Sequence, residues 1–140
     1  MSTDSHRYIL LLGSATSPVA EAGDAKREQQ LRRARDLLKQ RGKVLARSGV
    51  VHADSVVPGD GDRYVNQALL YASSLSRDAF TTALKTLEQR LGRSDERDGA
   101  CAIDIDLVGE CDAQGQTLWE NAAKLEHPLF RDLVARVARR

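Results

Sequence analysis

ACAIDIDLVGE, residues 100 to 110, sets two acidic residues one position apart inside an otherwise apolar run. Side chains of a strand alternate between faces, so Ile103, Ile105 and Leu107 are expected to line one side of a sheet while Asp104 and Asp106 project together from the other. Two adjacent anions oppose each other's ionisation unless a cation or a shared proton relieves them, which makes the pair a candidate for Mg²⁺ binding or acid/base chemistry. The same alternation is the ordinary look of a half-buried strand whose polar face happens to be acidic. Both readings stay open on pattern alone.

Upstream, the helix expected from the Ser76 cap to Gly92 carries Phe80, Ala83, Leu84, Leu87 and Leu91 at helical spacing. Glu88 falls at the edge of that stripe, where spacing alone makes it a border residue paired with Lys85 or Arg93. Before this helix, RYVNQALLYAS (63–73) alternates as a strand, with Tyr64, Asn66, Ala68 and Leu70 sharing a face, and residues 58–62 form a Pro/Gly/Asp loop. KVLARSGVVHADSVV (43–57) reads as one Val-rich strand with a bulge at Gly49. A helix is expected from Asp24 to about Arg41, stopped by Gly42, with Leu31, Ala34, Leu37 and Leu38 on its apolar stripe and its basic residues in solvent. RYILLLG (7–13) is a continuous apolar run, as in a central strand buried on both faces. After the acidic strand come a turn, a segment around Trp119 that covers a hydrophobic edge, and a terminal helix from about Leu129.

The resulting order, β-α-β-β-α-β, predicts an α+β chain of ferredoxin-like type, an antiparallel sheet with two helices on one face plus a C-terminal helical segment. Its second face is expected to stay open unless loops and a ligand cover it. If the apolar side of the acidic strand packs on the helices, Asp104 and Asp106 face that open side. At 140 residues, one domain over 1–140 is the default.

Composition narrows the function classes. Charged residues make up 29% and hydrophobic ones 41%, which argues against wholesale disorder. A net charge of +1 gives no field that would recruit nucleic acid or membranes indiscriminately, so any partner must be bound locally. The apolar stretch from Tyr8 to Leu12 is too short for a signal segment or a membrane span, and a cytoplasmic chain is expected. Cys101 and Cys111, the only cysteines, show no metal spacing and read as free thiols, and His6 and His52 read as surface or structural residues.

The stretches RYILLLGS, DRYVNQALL, LKTLEQRLGR, AIDIDLVGE and LEHPLFRDL follow one another in an order and spacing that resembles the hydroxymethyldihydropterin pyrophosphokinase family, from Tyr8 to about Ala135. The resemblance implies the ferredoxin-like fold and transfer of pyrophosphate from ATP to the hydroxymethyl group of a reduced pterin in folate synthesis. It implies two Mg²⁺ ions held by Asp104 and Asp106, with Asp104 assisting deprotonation of the pterin hydroxyl. It puts Ala53, Val56, Tyr64 and Asn66 at the pterin pocket, where an Asn amide suits the edge of a flat heterocycle. Glu88, Leu107, His127 and Arg131 match the ATP side, Arg131 if two residues are deleted after the His-Pro pair. Its substrates would be ATP and a pterin, with no nucleic acid or membrane partner, acting as a monomer.

The chain also departs from the family pattern. Gly13-Ser14-Ala15 replaces the usual Gly-Ser-Asn, and Ala53-Asp54-Ser55 replaces Thr-x-Pro. Asp98-Gly99-Ala100-Cys101 replaces Trp-x-Pro-Arg, so Cys101 stands where the family has a catalytic arginine. Arg93 and Arg97, on the same polar loop, are then the expected source of catalytic positive charge. Two other readings stay open. One is a degenerate paralogue that binds pterin or nucleotide without turnover, which Cys101 favours. The other is an RNA-binding or interaction module on the same fold, which an aromatic content of 4% disfavours.

Overall fold

A strand that is apolar on both sides needs cover on both sides, and the computed structural model shows that arrangement around β1 (His6–Thr16). The structure describes residues 6–16, 23–54, 63–91 and 102–138. β1 is followed by α1 (Gly23–Lys39), β2 (Lys43–Arg47), β3 (Val51–Asp54), β4 (Arg63–Ser73), α2 (Arg77–Arg90), β5 (Ala102–Cys111), β6 (Thr117–Glu120), a 3₁₀ turn (Lys124–Glu126) and α3 (Pro128–Ala138). The six strands form one antiparallel sheet in the order β2-β4-β1-β5-β6, with β3 also paired to β4. The chain is α+β with the expected ferredoxin-like core. No helix among the described residues is long and apolar enough to cross a membrane.

Alternation along each strand sorts the core into two layers. Tyr8, Leu10, Leu12, Leu69, Ile103 and Ile105 face Leu31 and Leu38 of α1 and Phe80, Leu84 and Leu87 of α2. Phe80 stacks between Tyr8 and Tyr71, with ring centroids 4.6 and 5.4 Å away. The Tyr71 hydroxyl donates to the Leu38 carbonyl at 2.6 Å, tying β4 to the end of α1. Gly42 makes that approach possible, because a Cβ there would lie 2.4 Å from the Tyr71 oxygen. Ser76 caps α2 as expected, its hydroxyl accepting from the Ala79 N–H at 3.4 Å.

The second face of the sheet is not open. α3 covers part of it, burying Leu133 and Val137 against Ile9, Leu11, Ala68, Leu70 and Val108. The spacing of Leu129, Leu133 and Val137 gives α3 an apolar stripe that must be buried somewhere, and the outer face of β1 and β4 is where it goes. The strand expected from residue 43 onward is two strands. Ser48 interrupts it: the Ser48 hydroxyl accepts from the Ala68 N–H and the Ser48 N–H donates to the Ala68 carbonyl, each at 2.9 Å, while Gln67 Nε2 donates to the Ser48 carbonyl at 2.7 Å. A serine side chain thus takes over a ladder bond, and the edge of β4 passes from β2 to β3. α1 ends at Lys39, slightly before the expected Arg41.

β5 carries a bulge. Leu10 pairs with Leu107 but Ile9 pairs with Gly109, leaving Val108 as the extra residue, buried on the α3 side. Ahead of the bulge, Ile103 and Ile105 point to the helix layer, so Asp104 and Asp106 point to the other face.

Candidate functional site

Strand register brings residues distant in sequence into one row. On β4, β1 and β5, Asn66 pairs with Gly13 and Gly13 with Asp104. The amide and the carboxyl therefore flank a residue without a side chain, with backbones roughly 10 Å apart across two ladder spacings. A Cβ on Gly13 would sit 3.1 Å from Asn66 Oδ1, so the glycine keeps room for the amide. Asn66 is buried, while Asp104 is exposed. One row further on, Leu11 stands between Ala68 and Asp106.

β6 pairs with β5 only from Gly109 to Cys111, and beside the unpaired part of the β5 edge lies a cavity of about 710 Å³. Asp104, Ile105, Asp106 and Leu107 line it from β5, and Thr81, Leu84, Lys85 and Glu88 from α2. Trp119, Asn121 and Lys124 close its far side. An apolar wall with a few convergent polar groups is the usual character of a small-molecule pocket.

Glu88 is buried, which corrects the border position that spacing alone gives it. Its Oε2 accepts from the Ile105 N–H at 2.7 Å, occupying the outward-facing donor between the two aspartates. Asp106 is half-exposed, and its Oδ2 lies 2.9 Å from Lys124 Nζ. Trp119 lies under the Arg77 guanidinium, 4.6 Å from the ring centroid. Arg77 in turn reaches Glu110 at 3.5 Å, and Glu110 takes His6 at 2.9 Å. His52 pairs with Glu28 at 3.2 Å. Cys111 is a buried free thiol whose pKa burial pushes up.

His127 and Arg131 lie outside the cavity wall, His127 just before α3 and Arg131 on its first turn. His127 Nδ1 accepts from the Leu129 N–H at 3.1 Å, which makes Nε2 the protonated nitrogen of the neutral ring. Arg131 Nε donates to the Leu125 carbonyl at 3.1 Å, bracing the 3₁₀ turn. Thus Glu88, Leu107, Asp104 and Asp106 meet in the cavity, Asn66 stands across Gly13 from Asp104, and His127 and Arg131 flank the turn that carries Lys124. Val56, Arg93, Arg97 and Cys101 lie outside the described residues, as do the side chains of Ala53 and Tyr64; by backbone register Tyr64 pairs with both Ala53 and Ala15.

Lys124, Trp119 and Asn121 are wall residues that the motifs do not single out. The signal available for Lys124 was its place three residues before the His-Pro pair, which says nothing of a partner on β5. Among the described residues no group of three or more His, Cys, Asp or Glu is placed to hold a metal ion. The donor set still suits Mg²⁺, which typically binds one or two carboxylates and completes its shell with water and substrate phosphates.

No curated protein matches the chain. Residues 9–135 match the family described as 7,8-dihydro-6-hydroxymethylpterin-pyrophosphokinase (HPPK). That match covers most of the chain, including all three strands of the Asn66–Gly13–Asp104 row and the His-Pro turn, and the protein belongs to the HPPK family.

Proposed function

We propose that the chain transfers pyrophosphate from ATP to the hydroxymethyl group of 6-hydroxymethyl-7,8-dihydropterin, with Mg²⁺ held at Asp104 and Asp106. The observation that carries this reading is the row from Asn66 through Gly13 to Asp104. It gives a heterocycle edge an amide donor and acceptor on one side of a glycine gap and a carboxyl for the reacting end on the other. In the reaction the pterin hydroxyl oxygen bonds to the β-phosphorus, the bond from that phosphorus to the bridging α–β oxygen breaks, AMP leaves and the hydroxyl proton is lost. Bound Mg²⁺ would supply charge neutralisation for the triphosphate and for the attacking and leaving oxygens.

The residues of the chain supply positioning. Glu88 fixes the strand segment between the two aspartates, Leu107 and Leu84 provide apolar wall, and the edge cavity accommodates the nucleotide. Tyr64, with Ala53 and Val56, is assigned to the pterin side, and His127 and Arg131 to the phosphates. Arg93 and Arg97 are assigned the loop charge that Cys101 does not provide, since a thiol is only a weak donor. A second reading, binding without turnover, is favoured by Cys101 and Ala53 and opposed by the retained Tyr64, Asn66, Asp104 and Asp106.

AMP formation from ATP, with and without the pterin, separates these readings. Pterin-dependent AMP from the wild type is expected, falling at least about 100-fold in Asp104→Ala as removal of a transition-state contact predicts. Pterin binding by calorimetry without AMP supports the second reading. Absence of AMP together with absence of both pterin and nucleotide binding rules out both.

A further inference from the structure

The carboxyl of Asp106 already has a cation beside it. Lys124 Nζ stands 2.9 Å from Asp106 Oδ2, with the two side chains 39% and 40% exposed. It is not a loosely tethered surface lysine. The Lys124 N–H donates to Asn121 Oδ1 at 3.2 Å, and the Asn121 N–H donates to the Val108 carbonyl at 2.9 Å, so the turn carrying Lys124 is pinned to the strand that carries Asp106. The Phe130 ring flanks the ammonium, 5.5 Å from its centroid. Lys124 and Asp104 line the same cavity.

We propose that Lys124 is a phosphate-binding residue of this site, resting on Asp106 when no nucleotide is bound and moving to a phosphate oxygen when ATP enters. The inference rests on the pyrophosphokinase reading. Asp106 cannot serve a divalent cation and keep an ammonium at 2.9 Å without like-charge repulsion, so the lysine must find another anion as the site fills. A phosphate oxygen is the anion that ATP brings, and a compact ammonium on a flexible stem can swing to it while its turn stays fixed. The chain has Cys101 where its family has a loop arginine, and Lys124 supplies a cation from the turn before α3.

The test uses the full chain with Lys124→Met and Lys124→Arg. Calorimetry reads MgATP affinity, and electron paramagnetic resonance reads Mn²⁺ binding without nucleotide. Lys124→Met is expected to bind MgATP about tenfold more weakly, a charge-assisted contact discounted for partial exposure. It should bind Mn²⁺ alone about two- to fivefold more tightly, because a competing cation is gone. Lys124→Arg should restore most of the nucleotide affinity. Changes of the same sign in both assays, or unchanged MgATP affinity, overturn the proposal: a mere competitor strengthens both, and a merely structural lysine weakens both. If the wild type binds no MgATP, the pyrophosphokinase reading fails and this proposal fails with it.

Discussion

Glu88 accepts from a backbone N–H that a regular sheet would give to a neighbouring strand. Removing that acceptor leaves the buried Ile105 amide unsatisfied, so Glu88→Ala should cost about 1–3 kcal/mol of stability. Glu88→Gln keeps an acceptor oxygen and should lose less than half as much in urea denaturation. Equal losses in the two variants would remove the capping role. Period-two alternation made the shared face of Asp104 and Asp106 legible in the sequence, since it depends only on the strand itself. Glu88 was legible as a residue on the edge of a helical stripe and no further. Its partner lies on a strand 17 residues away, and only the tertiary edge shows that an N–H there needs an acceptor. Lys124 and Asp106 form a pair for the same reason, through the fold and not through any local pattern.

At the level of elements, the strands and helices that pattern alone located well are those with a long uniform signal: β1, β4, α2 with its Ser76 cap, and β5. The split of β2 from β3 was not legible, because Gly49 drew attention as a bulge while the interruption is made by the Ser48 side chain bonding to Ala68. The amphipathic stripe of α3 was visible, but which surface it covers depends on contacts with β1 and β4 remote in sequence. Its docking is testable. Leu133 is fully buried against the outer face of the sheet, so Leu133→Ala should destabilise the fold by about 2–5 kcal/mol through lost burial and a residual cavity. Thermal unfolding followed by circular dichroism measures it. A change under about 0.5 kcal/mol, as at ordinary surface sites, would mean that α3 is not part of the cooperative core.

The whole molecule is bound by two tyrosines whose ionisation folding opposes. Burial pushes Tyr71 up to about 12, and burial with the nearby Glu110 pushes Tyr8 up to about 12, from a usual value of 10.0. Below pH 10 both tyrosines are neutral in folded and unfolded chains alike. As pH rises toward 12 the unfolded chain loses these protons first, so stability falls across that window, on the order of 2 kcal/mol per tyrosine. Tyr71→Phe should therefore show a shallower decline of its urea midpoint between about pH 9.5 and 11.5 than the wild type, whatever its starting stability. An unchanged slope would remove Tyr71 from the alkaline transition. The bulge at Val108 has a further consequence for the molecule. It acts as a frame shift within a single strand: strict alternation from Ile103 would turn Cys111 toward α2 and Glu110 toward Leu133 and Val137, whereas the extra residue gives Glu110 to His6 and Arg77. The half of β5 that carries Asp104 and Asp106 and the half that anchors Glu110 thus obey separate phases, and a length change on one side of Val108 can be absorbed there without inverting the faces on the other.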